Sequence, residues 1–256
     1  MNDLGSTEPQ ARGRVLVLLH VACEPPAEYS TVLEERGIPT HTVLLGDGVE
    51  LPDWRDFVGI IAMGGPMSAN DDDKLPWITA EKKLIHDAVS AGTPYWGVCL
   101  GAQLLAAAMG GRVYAGEVPE IGMTDVQLVA AAAEDPVFAG VPLAFSAFQW
   151  HGDTFELPPT ATWLATNEAY RHQAFVVGAG YGVQFHVEVG NDLAEQWMEI
   201  PEYAAGLEKV HGDGAGPKLL ADLAAEQVNT RTVARTLFEN WLDHRVVPFA
   251  ESTSQN

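Results

Sequence analysis

The 256-residue sequence has little cysteine, little positive charge and no long apolar run. Its cysteines, Cys23 and Cys99, are too few for a disulfide framework, and neither belongs to a CxxC pair of the kind that binds zinc. No apolar run is long enough to cross a bilayer, and the polar start of the chain lacks the apolar centre of a signal peptide. We therefore expect a cytoplasmic protein with no metal and no membrane segment.

Lysine and arginine number only 14, against 35 aspartates and glutamates, which gives a formal charge of −21. A field of this sign repels nucleic-acid phosphates and anionic lipid headgroups. The composition therefore argues against a nucleic-acid partner and against a membrane-surface partner. The hydrophobic share, 47%, is enough for a chain of this length to bury a large core.

Short apolar runs alternate with helical patterns over the first half of the chain. Strands are predicted at 14–20, 40–45, 58–63 and 93–98, with helices at 27–37, from Trp77 onward and at 100–109. Strand-like pieces follow residue 112, ending in "YGVQFHVEV" (181–189). The pattern predicts an α/β domain over 14–190 and a helical C-terminal extension over 191–245, with 1–13 disordered and 246–256 a frayed tail.

Cys99 lies in "GVCLG", where a predicted strand turns directly into a predicted helix. Gly97 and Gly101 stand two residues before and after it, where a sharp strand–nucleophile–helix turn leaves no room for side chains. The N–H groups that begin the helix would stabilise a thiolate and an oxyanion. A purely structural cysteine explains this pattern equally well, since cysteine is among the most buried residue types.

A pair of polar residues, His186 and Glu188, favours the reactive interpretation. The two are separated by one residue in an otherwise apolar predicted strand, so that both side chains should emerge on one face. The carboxylate can then accept the N–H of one ring nitrogen while the other ring nitrogen faces a thiol. A nucleophilic thiol requires such a base with its orienting group, so the sequence favours a Cys99–His186–Glu188 triad.

Three motifs, in this order along the chain, resemble those of the class I, or triad-type, glutamine amidotransferases. "GGPMS" (64–68) resembles the oxyanion loop, "GVCLGAQ" (97–103) the nucleophile motif and "QFHVE" (184–188) the histidine–glutamate motif. The resemblance implies a flavodoxin-like, doubly wound, mostly parallel sheet flanked by helices, with the site at the carboxyl ends of the strands. It implies no metal and no cofactor.

The resemblance also implies a role for each matching residue. Cys99 would attack the γ-carboxamide of glutamine, with His186 as general base and acid and Glu188 as its partner. Gly65 and Leu100 would donate backbone N–H groups to the oxyanion. The residues implied to hold the amino-acid end of the substrate are Gln103 and the loop formed by Trp150, His151, Gly152 and Asp153.

Some features of these motifs have simpler explanations or depart from the best-known members. "GGPMS" is also typical of a tight turn, and His151 could equally be a loop histidine exposed to water. The motif set is most similar to GMP-synthetase glutaminases, yet those domains generally carry an aromatic residue at the position of Leu100 and methionine at that of Ala102. Anthranilate synthase components usually have histidine at Ala102, so the resemblance says more about fold than about product.

Three functions stay open on the sequence alone. No second catalytic domain or nucleotide-binding loop is visible after residue 190, so an ammonia-accepting synthase would be a separate chain. The same residues would serve a γ-glutamyl peptidase or transferase that acts alone. The third alternative is a non-catalytic binding or stress-response protein; such cysteine-elbow relatives typically lack the His-x-Glu pair and use a carboxylate from an early strand.

Overall fold

The computed structural model describes residues 13–46 and 48–254, in which one sheet is flanked by helices. The strands are β1 (Val15–Leu19), β2 (Thr40–Leu44), β3 (Gly59–Ala62), β4 (Tyr95–Val98), β5 (Arg112–Leu128), β6 (Ala144–Glu156), β7 (Thr162–Thr166), β8 (Ala174–Val177) and β9 (Gly180–Val183). The helices are α1 (Glu28–Glu35), α2 (Pro76–Ser90), α3 (Leu100–Ala108), α4 (Asn191–Met198), α5 (Pro201–His211), α6 (Gly216–Trp241) and α7 (Val247–Ser254). The predicted N-terminal disorder lies outside the described residues, apart from Gly13.

The strand order across the sheet is β2-β1-β3-β4-β9-β8-β7-β5-β6. From β2 to β9 all neighbours pair in parallel, and from β9 to β6 all neighbours pair antiparallel. In the parallel half β1, β3, β4 and β9 are buried along their whole length, as expected for strands covered on both faces. The predicted α/β fold, a helix-flanked doubly wound sheet with a helical C-terminal segment, is confirmed.

The two faces of the sheet carry separate hydrophobic cores. Val15 and Val17 of β1 point to one face, which packs against α1 and α6. Leu16 and Leu18 point to the other face, which packs against α2 and α3. This alternation follows from the two-residue period of a strand. Both layers are therefore needed to bury the same strand.

Helix α6, in the C-terminal segment, is part of one of these layers. The rings of Phe238 and Trp241 stack with their centroids 5.3 Å apart, and Trp96 of β4 lies 6.0 Å from Trp241. Tyr29 of α1 stacks on Phe238 at 4.6 Å. Aromatic side chains of this size dominate the energetics of a core. The C-terminal segment is thus joined to the sheet by buried aromatic packing.

Two segments predicted from the sequence have the wrong bounds. The tail expected to fray from residue 246 is helical to the end of α7, because Val246 is buried and Phe249 and Ala250 pack against the core. The strand predicted over 181–189 ends at Val183. Its parallel partner β4 ends there too, since the chain turns into α3 at Cys99, and the residues beyond lose that partner.

The turn between β4 and α3 is built on close backbone contacts. Cys99 has φ of +51° and ψ of −105°, a conformation that side-chain-bearing residues rarely adopt. A Cβ on Gly97 would lie 2.6 Å from the Gly101 backbone, and a Cβ on Gly101 would lie 2.1 Å from the Ala62 carbonyl oxygen of β3. Both glycines are therefore required for the start of α3 to sit against the ends of β3 and β4.

We predict that Gly101→Ala lowers the free energy of unfolding by on the order of 3 kcal/mol, because the new methyl group meets backbone that cannot rotate away. Gly46→Ala is the matched control, since a Cβ there meets nothing within 4 Å. We expect that control to change stability by less than about 0.5 kcal/mol. Urea denaturation measures both, and equal midpoints for the two variants would contradict the packing described.

Candidate functional site

A pocket of about 330 Å³ opens where β1, β3 and β4 end. Among its lining residues are Cys99, His186, Gly65 and Gln103, together with the whole run from Trp150 to Asp153. This is the sheet edge at which ligands bind in open α/β folds. The structure therefore brings residues from all three sequence motifs to one cavity.

Cys99 stands at the base of this pocket, with its side chain largely buried. Its N–H donates to the Val183 carbonyl at 2.8 Å, which ties the turn to the end of β9. Around the sulfur, the Gln184 side-chain amide lies 3.6 Å from Sγ and the Trp150 carbonyl oxygen 3.9 Å from it. The thiol is thus held in a fixed orientation with one side toward the cavity.

His186 and Glu188 lie beyond the end of β9 rather than within it. The His186 backbone exchanges two hydrogen bonds with Phe148 of β6, at 2.8 and 2.9 Å, which hold the segment in place. His186 Nδ1 donates to Glu188 Oε1 at 2.7 Å, and the Val187 N–H donates to Glu188 Oε2 at 3.0 Å. The predicted pair therefore forms, although strand alternation is not what forms it.

The His186 imidazole is buried, and its pKa lies well above its ordinary value. Burial alone would lower the pKa, but the Glu188 carboxylate and the neighbouring Cys99 sulfur outweigh it. Such a histidine readily holds the proton that a thiol gives up. The charges around His186 therefore favour the imidazolium form beside the sulfur.

Two backbone N–H groups beside the sulfur have no hydrogen-bond acceptor among the residues that the structure describes. They belong to Gly65, in the turn after β3, and to Leu100, the first residue of α3. The next N–H along the helix, that of Gly101, is already bonded to the Met63 carbonyl at 3.1 Å. Free N–H groups of this kind are what an oxyanion would require.

Gln103 and Asp153 form a polar wall on the far side of the pocket. Gln103 Nε2 donates to the Asp153 carbonyl and to Gln184 Oε1, each at 3.2 Å. The Ser68 hydroxyl donates to Asp153 Oδ2 at 2.6 Å. Asp153 is therefore fixed by side chains from both sides of the sheet edge.

The run from Trp150 to Asp153 belongs to strand β6, so the prediction of a loop there is wrong. Its pairing with β5 places Trp150 opposite Ile121 and His151 opposite Glu120, and this long hairpin gives the segment a ladder partner. Gly152 alone of this run is exposed. The β5–β6 hairpin, rather than a loop, therefore forms this side of the pocket.

His151 is buried, which rules out the explanation that it is a water-exposed loop residue. Its Nε2 lies 3.1 Å from Glu120 Oε2 and its Nδ1 lies 2.9 Å from the Asp153 carbonyl oxygen. Glu120 also accepts hydrogen bonds from Asn167 and Gln173. Because both ring nitrogens are already engaged, His151 holds the hairpin in shape.

Sequence reasoning missed a buried ion pair beneath the turn that follows β3. His20 follows β1, and its Nε2 lies 3.1 Å from both carboxylate oxygens of Glu81, while its Nδ1 lies 3.1 Å from the Gly64 carbonyl oxygen. Acceptors face both ring nitrogens, so both carry hydrogen. Burial lowers the pKa of His20, but Glu81 and the Gly64 carbonyl outweigh it and the pKa is raised. A polar residue directly after an apolar strand was the available signal.

Helices α4 and α5 form the outer wall of the pocket. The Trp197 ring packs edge-on against His186 with the centroids 5.1 Å apart, and Tyr203 of α5 lines the cavity beside it. His211 at the end of α5 lies 2.6 Å from the Ile121 carbonyl oxygen of β5. The helical segment is therefore part of the site, which its sequence pattern did not indicate.

Residues 32–199 match the family model described as "Glutamine amidotransferase class-I". This match covers most of the chain and includes the turn at Cys99 and the His186–Glu188 segment. The chain belongs to the class-I glutamine amidotransferases.

Two further features are separate findings. No described helix is both long and apolar enough to cross a membrane. No cluster of His, Cys, Asp and Glu suited to a metal ion occurs among the described residues.

Relatives of this class-I amidotransferase extend the comparison. The glutamine amidotransferase-like protein YfeJ of Salmonella typhimurium is 32% identical over 188 residues, which is 71% of this chain and 78% of that protein. A subunit of the glutamine-hydrolyzing GMP synthase of Pyrococcus abyssi is 33% identical over 56% of this chain and 74% of that one. A crystal structure of a glutamine amidotransferase from Thermotoga maritima covers 91% of this chain and 99% of its own, with a TM-score of 0.82 and 32% identity.

We predict that His20→Asn lowers the free energy of unfolding by about 3–5 kcal/mol near pH 6, because it leaves the buried Glu81 carboxylate without its cation. The raised pKa of His20 sets the pH dependence. Its contribution is complete below about pH 6.5, the unfolded value, and is lost as the pH rises through the folded pKa. The difference between the two proteins should therefore shrink toward pH 9.

The matched control is His86→Asn, since His86 also faces a carboxylate but its side chain is 57% exposed. We expect that variant to stay within about 0.5 kcal/mol of the unmodified protein at every pH. Urea denaturation between pH 6 and 9 measures both variants. A His20→Asn deficit that grew with pH would contradict the ion pair.

Proposed function

We propose that this amidotransferase hydrolyses γ-glutamyl amides, with glutamine as the reference substrate, through a γ-glutamyl thioester on Cys99. The observation that carries the proposal is the arrangement around one sulfur: a positive-φ cysteine, a buried His186–Glu188 hydrogen bond and two free N–H groups. These are the parts that acyl transfer requires. No other group is needed for the steps below.

In the acylation step, His186 takes the Cys99 proton and the sulfur attacks the γ-carbonyl carbon. The C–S bond forms while the carbonyl oxygen becomes an oxyanion, which accepts hydrogen bonds from the Gly65 and Leu100 N–H groups. His186 then gives its proton to the leaving nitrogen, the C–N bond breaks and ammonia or an amine departs. Glu188 keeps the imidazole oriented and stabilises its charged form.

In the deacylation step, a water molecule takes the place of the departed amine. His186 removes a proton from the water as its oxygen attacks the thioester carbon. The same oxyanion groups stabilise the second tetrahedral intermediate, the C–S bond breaks and the sulfur regains a proton from His186. Glutamate is released, and the enzyme returns to its starting state with atoms and charge balanced.

A γ-glutamyl peptidase or transferase that acts alone is the second candidate. It is favoured by the wall over the pocket, because this wall, which includes Trp197 and Tyr203, is built by α4 and α5 of the chain itself. The relatives that are parts of GMP synthases suggest the other arrangement, in which a separate synthase chain accepts the ammonia. Turnover by the purified chain on glutamine and on γ-glutamyl dipeptides separates the two.

The non-catalytic alternative has less support from the geometry. It would leave unexplained why two N–H groups near the sulfur lack acceptors and why His186 is buried between a carboxylate and a thiol. Buried polar groups are normally satisfied within the protein. A site left ready for an incoming charge is better explained by chemistry than by packing.

We predict that Cys99→Ala abolishes glutamate release and that His186→Ala lowers kcat/KM by about 10²–10⁴-fold, because it removes the general base. Glu188→Gln should cost less than His186→Ala, since Glu188 orients the ring without itself carrying the proton. Ammonia and glutamate release, with and without chelator, give the rates. A larger loss for Glu188→Gln than for His186→Ala would contradict the assigned roles.

The second cysteine provides a matched control for covalent labelling. A diazoketone analogue of glutamine should add one equivalent to Cys99, identified by peptide mass spectrometry, and Cys23→Ala should label to the same extent. Cys99→Ala should not label. Labelling that followed Cys23 instead, or persistent hydrolysis by Cys99→Ala, would overturn the proposed nucleophile.

A further inference from the structure

Glu24 is a buried carboxylate in the pocket that the steps above do not use. It lies beyond the end of β1, its side chain is only 4% exposed, and it lines the cavity together with Cys99 and His186. The Tyr203 hydroxyl, on α5, donates a hydrogen bond to its Oε1. One of its two oxygens is therefore held by the outer wall of the site.

The other oxygen, Oε2, points to the place where His186 meets the oxyanion turn. A Cβ built on Gly64 would lie 2.1 Å from Glu24 Oε2 and 3.3 Å from His186 Cε1, so both atoms flank the same point. Within the part of the chain that the structure describes, no group donates a hydrogen bond to Oε2. The structure thus leaves this oxygen of an otherwise buried residue without a donor at the pocket.

Burial disfavours the charged form of Glu24 and raises its pKa, a cost that the nearby His186 offsets only in part. An N–H group supplied by a bound molecule would offset that cost. His186 Cε1 is bonded to both ring nitrogens, and because Nδ1 is held by Glu188, Nε2 is the nitrogen left to protonate a leaving group. Oε2 therefore lies near the edge of the ring at which we expect the leaving nitrogen.

We propose that Glu24 Oε2 accepts a hydrogen bond from the leaving nitrogen of the γ-glutamyl substrate, so that the site selects amides whose nitrogen bears hydrogen over the corresponding esters. This inference rests on the proposed function. The N–H of the scissile amide donates to Oε2 as the substrate binds. When His186 protonates that nitrogen and the C–N bond breaks, the ammonia or primary amine that is released is still hydrogen-bonded to Glu24 Oε2.

Tyr203 makes a substitution of Glu24 informative, because its hydrogen bond favours one orientation of the new side chain. In Glu24→Gln we expect the Tyr203 hydroxyl, which donates to Oε1 in the unmodified protein, to keep donating to the side-chain oxygen, so that the new amide NH₂ faces the leaving nitrogen. The new NH₂ and the substrate N–H are then two donors facing each other, whereas in the unmodified protein the substrate N–H faces the acceptor Oε2. An ester has no hydrogen on its leaving oxygen and loses no such bond.

The experiment compares glutamine with glutamate γ-methyl ester, which share the glutamyl part and the thioester but differ in the leaving atom. For Glu24→Gln we expect kcat/KM on glutamine to fall on the order of 10–100-fold, the worth of a hydrogen bond to a charged group, and kcat/KM on the ester to change less than about threefold. Tyr203→Phe should lower the amide-to-ester ratio in the same direction but by less. Thermal unfolding confirms that each variant is folded. If Glu24→Gln does not fold, the amide-to-ester ratio of Tyr203→Phe tests the inference.

The matched control is Asp135→Asn, which alters a carboxylate that also accepts from a tyrosine, Tyr181 at 3.0 and 3.1 Å, outside the pocket. Its amide-to-ester ratio should equal that of the unmodified protein. An unchanged ratio in folded Glu24→Gln, or equal losses on both substrates, would overturn the inference while leaving the proposed function in place. If the unmodified chain turned over neither substrate and Cys99 did not label, the proposed function would fail and the inference with it.

Discussion

The contact between the start of α3 and the end of β3 constrains everything around Cys99. Gly101 approaches the Ala62 carbonyl so closely that a single added carbon would lie 2.1 Å from its oxygen, and the turn that makes this approach has Cys99 at positive φ. The turn in turn aims the sulfur at the cavity and leaves the Leu100 N–H without an acceptor among the described residues. Strain stored in one residue is thereby maintained by packing on both sides.

Three buried histidine–carboxylate pairs lie around the pocket, and each holds a different part of it. His186–Glu188 lies beside the sulfur, His20–Glu81 lies under the turn that follows β3, and His151–Glu120 holds the β5–β6 hairpin. Each pair holds its histidine ring in one orientation through a buried hydrogen bond to the carboxylate. In a chain with 35 acidic residues and few cations, histidines face these buried carboxylates.

The C-terminal segment has two structural roles that the family match, which ends at residue 199, only partly covers. Helix α6 packs on the sheet through Phe238 and Trp241 and completes a core layer. Helices α4 and α5 instead cover the pocket, with Trp197 against His186 and Tyr203 on Glu24. The same segment therefore stabilises the fold and lines the pocket beside Cys99.

Local features of the sequence determined the parallel half of the sheet and the turn at Cys99, because strand runs, flanking glycines and the helix start are set by residues close together along the chain. The sequence also predicted that His186 and Glu188 meet, although their pairing follows β9 instead of lying within it. Only the tertiary structure decided that 150–153 is a strand, since its ladder partner lies about thirty residues earlier. It alone brought Glu24 to Tyr203, which are 179 residues apart, because no local pattern encodes a contact between segments so distant.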